Sequence, residues 1–502
     1  MAKICLCLTG KTLAQDLELL ERYRKYVDIA ELRADCLDPD ERFLIRRFPE
    51  MAGIPVILTI RRSIDGGKFV GGEGSRINIL ANGLAFAEAD RRRNFAYVDL
   101  EEDLDVPSLE EAARTFGTRI IRSWHNIDGV DEDLAAKLFR MRRVGDELIK
   151  AAVMPKTLDD VIKVYQAARE TNGLEKILLC MGEYGVHTRI LSEYLDSKIS
   201  YTTPREEGEL PLGAPGQLDP QELAELYRFR DITKKTKVYA VSGYPLKVTD
   251  SPRFFNTLFK IEQADAVYVP IPADSVESLV RIAQEIGLLG ISVTVPHKEA
   301  ILPFLKNKSN EVISIGACNT MVPCDGGWTG YNTDAAGFSG SLLAFTGLKD
   351  LRHKKITIIG AGGAARAVAS EVFRLKGRAL ILNRTPARAR SLAAPYHFAW
   401  AGLDGQGADL MERHSNIIIQ TSPAGMDPHP DEDPIEFYKF TGKETVMDLI
   451  YKPEKTRCLK RAEAAGCRIL NGRDMLNRQA RYQYMYYMNK EFPPSLALRV
   501  VF

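Results

Sequence analysis

Residues 355–385 read KITIIGAGGAARAVASEVFRLKGRALILNRT. A short β-branched run, KITII, meets a turn holding Gly360, Gly362 and Gly363. A helical stretch rich in alanine follows, then a second apolar run, RALILN. Strand, glycine turn, helix and strand in that order form a βαβ unit, whose glycines let a pyrophosphate approach the helix N-terminus and its dipole. A tight strand–helix packing turn has the same look, so context decides: this one follows a strand and opens a helix. Gly360, Ala361, Gly362, Gly363 and Ala364 are the candidate cradle. The second strand ends in Asn383-Arg384-Thr385, with Arg388 shortly after and no Asp or Glu. An acid there would hold the ribose 2′-hydroxyl of NAD, whereas arginines and a hydroxyl suit the 2′-phosphate of NADP. NADP(H) is the expected cofactor.

Working outward, the flanks of this unit also alternate strand and helix. VYAVSG begins at Val238, and VYVPI, GISVTVP and TMVPC follow. The C-terminal MLNRQARYQYMYYMNKEF reads as an amphipathic helix that packs back on the earlier part. Before residue 205 lie eight short β-rich runs: KICLCLT from Lys3, DIAELRAD from Asp28, PVILTIR from Pro55, YVDLE from Tyr97, RIIRSWH from Arg119, ELIKAAV from Glu147, KILLCMG from Lys176 and ISYTT from Ile199. Helical patterns such as LDDVIKVYQAARE separate them. Eight strand–helix units are the signature of a (β/α)8 barrel, with a doubly wound sheet as the rival. The longest gap holds RRSIDGGKFVGGEGSR, residues 61–76, whose five glycines suggest a mobile lid on the catalytic face. The expected organisation is α/β throughout: a (β/α)8 barrel at 1–228, a polar linker at 229–237 (FRDITKKTK), a substrate-binding lobe at 238–345 completed by 475–502, and a Rossmann-like NADP-binding lobe at 346–474.

Composition narrows the function classes. The 502 residues carry 68 Lys+Arg against 67 Asp+Glu, a net charge of +1, so neither nucleic acid nor an anionic membrane is an expected partner. Small-molecule substrates are. No apolar run approaches the roughly 20 residues that span a bilayer. Eight scattered cysteines form no zinc-type spacing; they read as thiols in a reducing compartment, with the cytoplasm as the expected location and no metal expected.

In a barrel, chemistry gathers at the C-terminal ends of the strands. Those ends offer Glu31, Arg33 and Asp35, then Arg61, His125, Lys150 and Met181, with Arg189 shortly after. Lys150 lies inside the apolar strand ELIKAAV. Burial makes a charged amine costly, and a neutral amine forms an imine with a ketone or aldehyde. A lone lysine there also reads as half of a strand-end ion pair. The histidine one strand away and the three arginines favour chemistry: imine plus base breaks a bond next to a carbonyl. In the second half, SVTVPHKE places Thr294 and Lys298 after a strand, GACNT carries Asn319, and GYNTDAAGF places Asn332 and Asp334 at a turn. A Lys–Asp pair across a cleft can move a proton while hydride moves.

DIAELRAD, TIRR, SWHN, IKAAVMP, a Met–Gly followed by Gly-x-x-x-Arg, and GAPGQ occur in that order. Over about residues 1–228 the chain resembles type I 3-dehydroquinate dehydratases. The resemblance implies that Lys150 forms the imine, that His125 takes the adjacent proton and protonates the departing hydroxyl, and that Glu31, Arg33, Arg61, Met181, Arg189 and Gln217 contact substrate. Asp65 stands where the family has a glutamate that orients the histidine, and Gly213 where it has a loop serine. From about residue 236 onward the ordered motifs resemble shikimate dehydrogenases. That resemblance implies Lys298 and Asp334 as the catalytic pair, Thr249 and Ser251 on the substrate carboxylate, Thr294, Asn319 and Gln479 on its hydroxyls, and Tyr451 at the border. Ser292 stands where many bacterial members have asparagine. Together the two imply consecutive steps: dehydration of 3-dehydroquinate, then NADPH-dependent reduction to shikimate. Two alternatives stay open on sequence alone, a second module that prefers quinate and a catalytically inactive metabolite sensor.

Overall fold

A computed structural model of the protein describes all residues except 85–89, 206–213, 247–248, 498–499 and 502. Gly213 lies outside the described residues. The chain divides into two compact units, Met1–Ala240 with Pro245–Lys247 and Phe259–Leu288, and Val241–Tyr244 with Val248–Leu258 and Leu289–Phe502.

The eight runs of the first half become eight strands: β1 Lys3–Leu8, β2 Ile29–Arg33, β3 Val56–Thr59, β4 Tyr97–Glu101, β5 Arg119–Asn126, β6 Leu148–Val153, β7 Lys176–Cys180 and β8 Ile199–Thr202. Their order is β7-β6-β5-β4-β3-β2-β1-β8 with parallel neighbours throughout, and a parallel bridge from Lys176 to Ser197 nearly closes the ring. The (β/α)8 expectation holds and the doubly wound rival falls. Side chains alternate along a strand, and the interior face takes the odd-numbered residues of seven strands and the even-numbered residues of β6. Cys5, Ile29, Ile57, Ile121, Leu148, Ile177 and Ile199 form an apolar floor. Register then places Glu101, Ser123 and Lys150 side by side one step nearer the strand ends. The intervening helices follow local rules: in Leu158–Glu170, Thr157 and Asp160 make a reciprocal capping box.

Residues 229–237, expected to be a linker without an apolar face, carry two buried apolar side chains, Phe229 and Ile232. The segment is also tied down by Arg230 to Asp28 at 3.0 Å and Lys234 to Asp196 at 2.6 Å. Two apolar residues among nine make too sparse a pattern to reveal a face.

In the second half, β9 Lys237–Ser242, β10 Ala266–Pro270, β11 Gly290–Val293, β12 Asn307–Lys308, β13 Thr320–Cys324 and β14 Gly327–Tyr331 form a mixed sheet in the order β10-β9-β11-β13-β14-β12. A last sheet comprises β15 Lys355–Ile359, β16 Arg378–Asn383, β17 Ala399–Gly402, β18 Ile417–Gln420, β19 Thr445–Asp448 and β20 Arg468–Leu470. Its order, β17-β16-β15-β18-β19-β20, is all parallel and reverses direction at β15, the Rossmann arrangement with its ligand crevice at the switch point. Both faces are apolar: Ile356 and Ile358 join Val368 and Phe338 on one side, and Ile359, Leu380 and Leu382 join Leu459 on the other. The C-terminal helix, Arg473–Met488, packs against the helix Asp334–Thr346. Gly337 permits that approach, because a Cβ there would stand 2.9 Å from the Gln479 side chain.

Candidate active sites

Above the barrel floor the interior is polar and almost dry. Lys150, on β6 and 5% exposed, points its Nζ at Asp99 Oδ2, 2.9 Å away, and at Glu31 Oε1, 3.6 Å away. The ammonium also sits over the Tyr201 ring, 4.3 Å from its centroid. Asp99 is shared: Arg61 Nη2 donates to it at 2.9 Å and Ser123 Oγ donates to its other oxygen. Glu31 accepts from Thr59 at 2.9 Å and from the Cys7 thiol at 3.4 Å. Gln217 Nε2 reaches the same sulfur at 3.6 Å, and Thr203 donates to Gln217 Oε1. Met181 closes the apolar side.

Charge in this space is strongly organised. Burial would raise the Asp99 carboxyl, but Arg61, Lys150, His125 and the Ser123 hydroxyl together hold it well below the usual carboxylate range. His125 is pushed well below its ordinary value by burial first, then by Arg61 and Lys150, so it is a neutral imidazole at neutral pH. Its Nδ1 has no hydrogen-bond partner among the described residues. A buried neutral imidazole beside an amine is equipped to take a proton. Arg189 is 1% exposed, and among the described residues its Nε and Nη1 have no partner, while Nη2 donates to the Pro215 carbonyl at 3.4 Å. Burial without a counter-charge pushes it down to about 10. Such a cation asks for an anion, and a carboxylate fits its fork.

Three barrel residues expected at the site are engaged by protein partners. Asp65 turns to Arg62 at 2.6 Å, which also grips Asp103 at 2.9 Å, and makes no bond to His125. Its shorter side chain leaves it within reach of its own loop's arginine. Arg61, expected to contact substrate, pairs with Asp99 and Glu101, both at 2.9 Å. Arg33 forms a two-pronged pair with Asp35 at 2.9 and 2.8 Å. The sequence reading missed Asp99, Glu101, Ser123 and Tyr201. The signal was present: Asp99 and Glu101 alternate in YVDLE, which places two acids on one face of a short strand.

In the second unit Lys298, on the short helix His297–Ala300, donates to Asp334 Oδ2 at 2.5 Å. Asp334 opens the helix Asp334–Thr346, and its Oδ1 accepts from Asn319 Nδ2 at 2.9 Å. Asn319 also meets Thr333 at 2.9 Å and Gln479 at 3.4 Å, and Asn332 caps the turn by bonding the Ala317 carbonyl at 2.9 Å. Thr294 follows β11 with its backbone held to Ser242. Thr249 Oγ1 accepts from the Ser251 amide at 3.3 Å, and an ion pair of 2.6 Å between Lys452 and Asp250 ties this segment to the one bearing Tyr451. Ser292 is committed to protein contacts, 3.0 Å to Gln483 and 2.8 Å to Tyr487, which explains how serine replaces asparagine there without leaving an open polar group.

The glycine turn after β15 fits a pyrophosphate. Gly360 has φ +112°, and a Cβ on it would lie 2.5 Å from Thr421 Oγ1, so only glycine is comfortable. A Cβ on Gly362 would meet open space, and one on Gly363 would stand 3.4 Å from the Lys298 side chain. The cradle therefore opens beside Lys298. Ala361 packs against the sheet's core, and Ala364 continues the helix that starts at Gly363. At the end of β16, Asn383 braces the Thr385 carbonyl at 3.0 Å. Arg384 and Arg388 are exposed and have no acid partner among the described residues.

Comparison with known proteins matches this geometry. The type I 3-dehydroquinase family model matches residues 4–234, the shikimate dehydrogenase substrate-binding domain matches 241–321, and the shikimate/quinate 5-dehydrogenase model matches 343–421. A shikimate dehydrogenase (NADP(+)) of Carboxydothermus hydrogenoformans is 35% identical over 49% of this chain and 89% of its own length. The chain belongs to the shikimate dehydrogenase family, fused to a type I 3-dehydroquinase domain. A protein with the same fusion, the chloroplastic bifunctional 3-dehydroquinate dehydratase/shikimate dehydrogenase of Arabidopsis thaliana, is 29% identical over 94% of this chain and 80% of its own. Another shikimate dehydrogenase (NADP(+)), from Methanothermobacter thermautotrophicus, is 35% identical over 52% of this chain and 94% of its own. Among the described residues no helix of this dehydratase–dehydrogenase fusion is long and apolar enough to cross a membrane.

Proposed function

We propose that the chain catalyses two consecutive reactions, dehydration of 3-dehydroquinate in the barrel and NADPH-dependent reduction of 3-dehydroshikimate to shikimate in the second module. The observation that carries this is the pairing, inside one buried barrel interior, of a lysine held among acids with a buried arginine whose Nε and Nη1 have no partner among the described residues. Lys150 condenses with the substrate ketone. His125, neutral and buried, removes the adjacent proton and returns it to the departing hydroxyl. Arg189 anchors the carboxylate, Glu31 and Gln217 meet hydroxyls, and Met181 lines the pocket. Arg33 supports the wall through Asp35. Asp65 belongs to the lid, anchored through Arg62.

In the second module, Lys298 delivers the proton that a ketone needs as it becomes an alcohol, and Asp334 holds Lys298 and a substrate hydroxyl. Thr249 and Ser251 receive the carboxylate; Thr294, Asn319, Gln479 and Tyr451 surround the ring. The Gly360–Ala364 turn would hold the pyrophosphate of NADPH, and Asn383, Arg384, Thr385 and Arg388 lie where its 2′-phosphate would be recognised; when bound, the cofactor would supply the hydride. The domain limits proposed above, 1–228, 238–345 with 475–502, and 346–474, accompany this assignment. So does a cytoplasmic setting, supported by eight cysteines that are all free. Nothing favours a sensor, since Lys150, His125, Lys298 and Asp334 all stand in place.

The test is a coupled assay. Purified protein given 3-dehydroquinate and NADPH should consume NADPH with no added enzyme. Consumption with 3-dehydroshikimate alone would overturn the dehydratase half, and consumption with neither would overturn both. Oxidation of shikimate and of quinate, compared with NADP, separates the two alcohol substrates.

A further inference from the structure

An unbroken chain of alternating charges runs from the Gly-rich loop to the reactive lysine. Glu73, at the start of the helix Glu73–Leu84, pairs with Arg76 at 2.6 Å. Arg76 pairs with Glu101 at 2.6 Å, Glu101 with Arg61 at 2.9 Å, Arg61 with Asp99 at 2.9 Å, and Asp99 with Lys150 at 2.9 Å. Beyond Glu73 every member is buried. A buried charge is tolerated only when its neighbours compensate it, and each internal member here has two opposite neighbours.

Asp99 is the member that touches the amine. One of its oxygens takes both Arg61 and Lys150, and the other takes the Ser123 hydroxyl, so the carboxylate cannot turn. A lysine amine rides on a flexible four-carbon stem, and fixing its position before attack is worth rate. The charge also fits the chemistry. Overall, the ammonium and the ketone yield an iminium and one water, so a single positive charge sits on the same nitrogen before and after condensation. A fixed anion at 2.9 Å faces both states without rearranging. We propose that Asp99 is the positioning residue of the dehydratase, aiming Lys150 Nζ before attack and standing as counter-ion to the iminium afterwards. This rests on the imine mechanism proposed above.

The full-length Asp99→Asn variant tests it, with circular dichroism and the thermal unfolding of the whole chain as the measure of intact folding. Borohydride added during turnover of 3-dehydroquinate should trap an adduct on the Lys150 peptide of the wild type; no adduct there would sink the imine mechanism itself. In Asp99→Asn, trapping rate and kcat should fall by about 10²-fold or more while KM moves by less than about threefold, because Arg189 is untouched. Asp99→Glu should recover part of the loss, which a merely structural role would not predict. An Asn variant within about threefold of wild type in trapping and kcat overturns the proposal. Should it fail to fold, Ser123→Ala decides: losing one hydrogen bond to Asp99 should lower kcat by about fivefold with KM unchanged, and unchanged kcat overturns the proposal.

Discussion

Lys150 and Lys298 each face a carboxylate, at 2.9 and 2.5 Å, yet the two pairs are built from different materials. Around Lys150 the supports are charges: Asp99 is shared with Arg61, which is shared with Glu101, and Glu31 waits on the other side. Around Lys298 they are neutral, with Asp334 steadied by the amide of Asn319, and Thr333 and Gln479 behind it. The first pair is also the drier, with side chains 6% and 0% exposed against 15% and 8%. Fixed charges suit a step in which a cation must persist through covalent chemistry. Neutral amides and hydroxyls suit one in which a proton leaves the lysine and is replaced from solvent.

The contrast can be broken most severely at Lys150. Lys150→Ala should abolish dehydration and leave shikimate oxidation intact, measured side by side on one preparation; loss of both would mean that the two chemistries are not separable. Lys298→Ala should lower dehydrogenase turnover by about 10²–10⁴-fold with substrate binding largely kept. Asp334→Asn should harm binding and turnover together. Near-native turnover without Lys298 would remove it from proton delivery.

A smaller effect lies at the cofactor. Replacing Arg384 and Arg388 together with neutral residues should weaken NADPH binding at least about tenfold, since each hydrogen bond to a charged group contributes roughly 1.5–3 kcal/mol. NADH binding should hardly move. Equal loss of both cofactors in titration would make these arginines structural.

The last two expectations sharpen the account of the dry site. Asp65→Glu should leave dehydration within about tenfold, or about 1.4 kcal/mol of barrier, because residue 65 engages Arg62 rather than His125. A gain beyond that would show that the longer acid reaches the imidazole. Finally, a histidine at its ordinary value of 6.5 would be half protonated at pH 6.5. His125 is held well below that value, so its base form should persist there, and kcat/KM for dehydration should change less than about twofold between about pH 7.5 and 6.5. An acidic limb centred at or above 6.5 would contradict the buried neutral imidazole.

Much of the architecture was legible because it is periodic. Strand runs such as KICLCL and KILLC announce themselves, and the glycine turn at 360–363 could be placed by what flanks it. Lys150 was legible for the opposite reason, as the one charge inside the strand LIKAAV. What escaped was set by contacts across strands. Asp99 looked like an ordinary strand acid until register brought it beside a lysine two strands away. The role of Ser292 depends on Gln483 and Tyr487, about 190 positions along the chain, which no local pattern reports. Asp65 could not reveal that Arg62 would outbid His125 for its carboxylate.

Cys7, which donates to Glu31 beneath the reactive lysine, has a consequence for the product. Loss of water next to a ketone creates a conjugated enone, an electrophile that sulfur anions add to readily. Burial first, then the charge and hydrogen bond of Glu31, push the Cys7 thiol far above its ordinary range, and burial does the same to Cys5. Because the thiolate and not the thiol is the nucleophile, keeping both sulfurs protonated lowers their reactivity toward such an acceptor. A barrel that makes an acceptor of this kind would thereby be protected from alkylation at its own buried thiols.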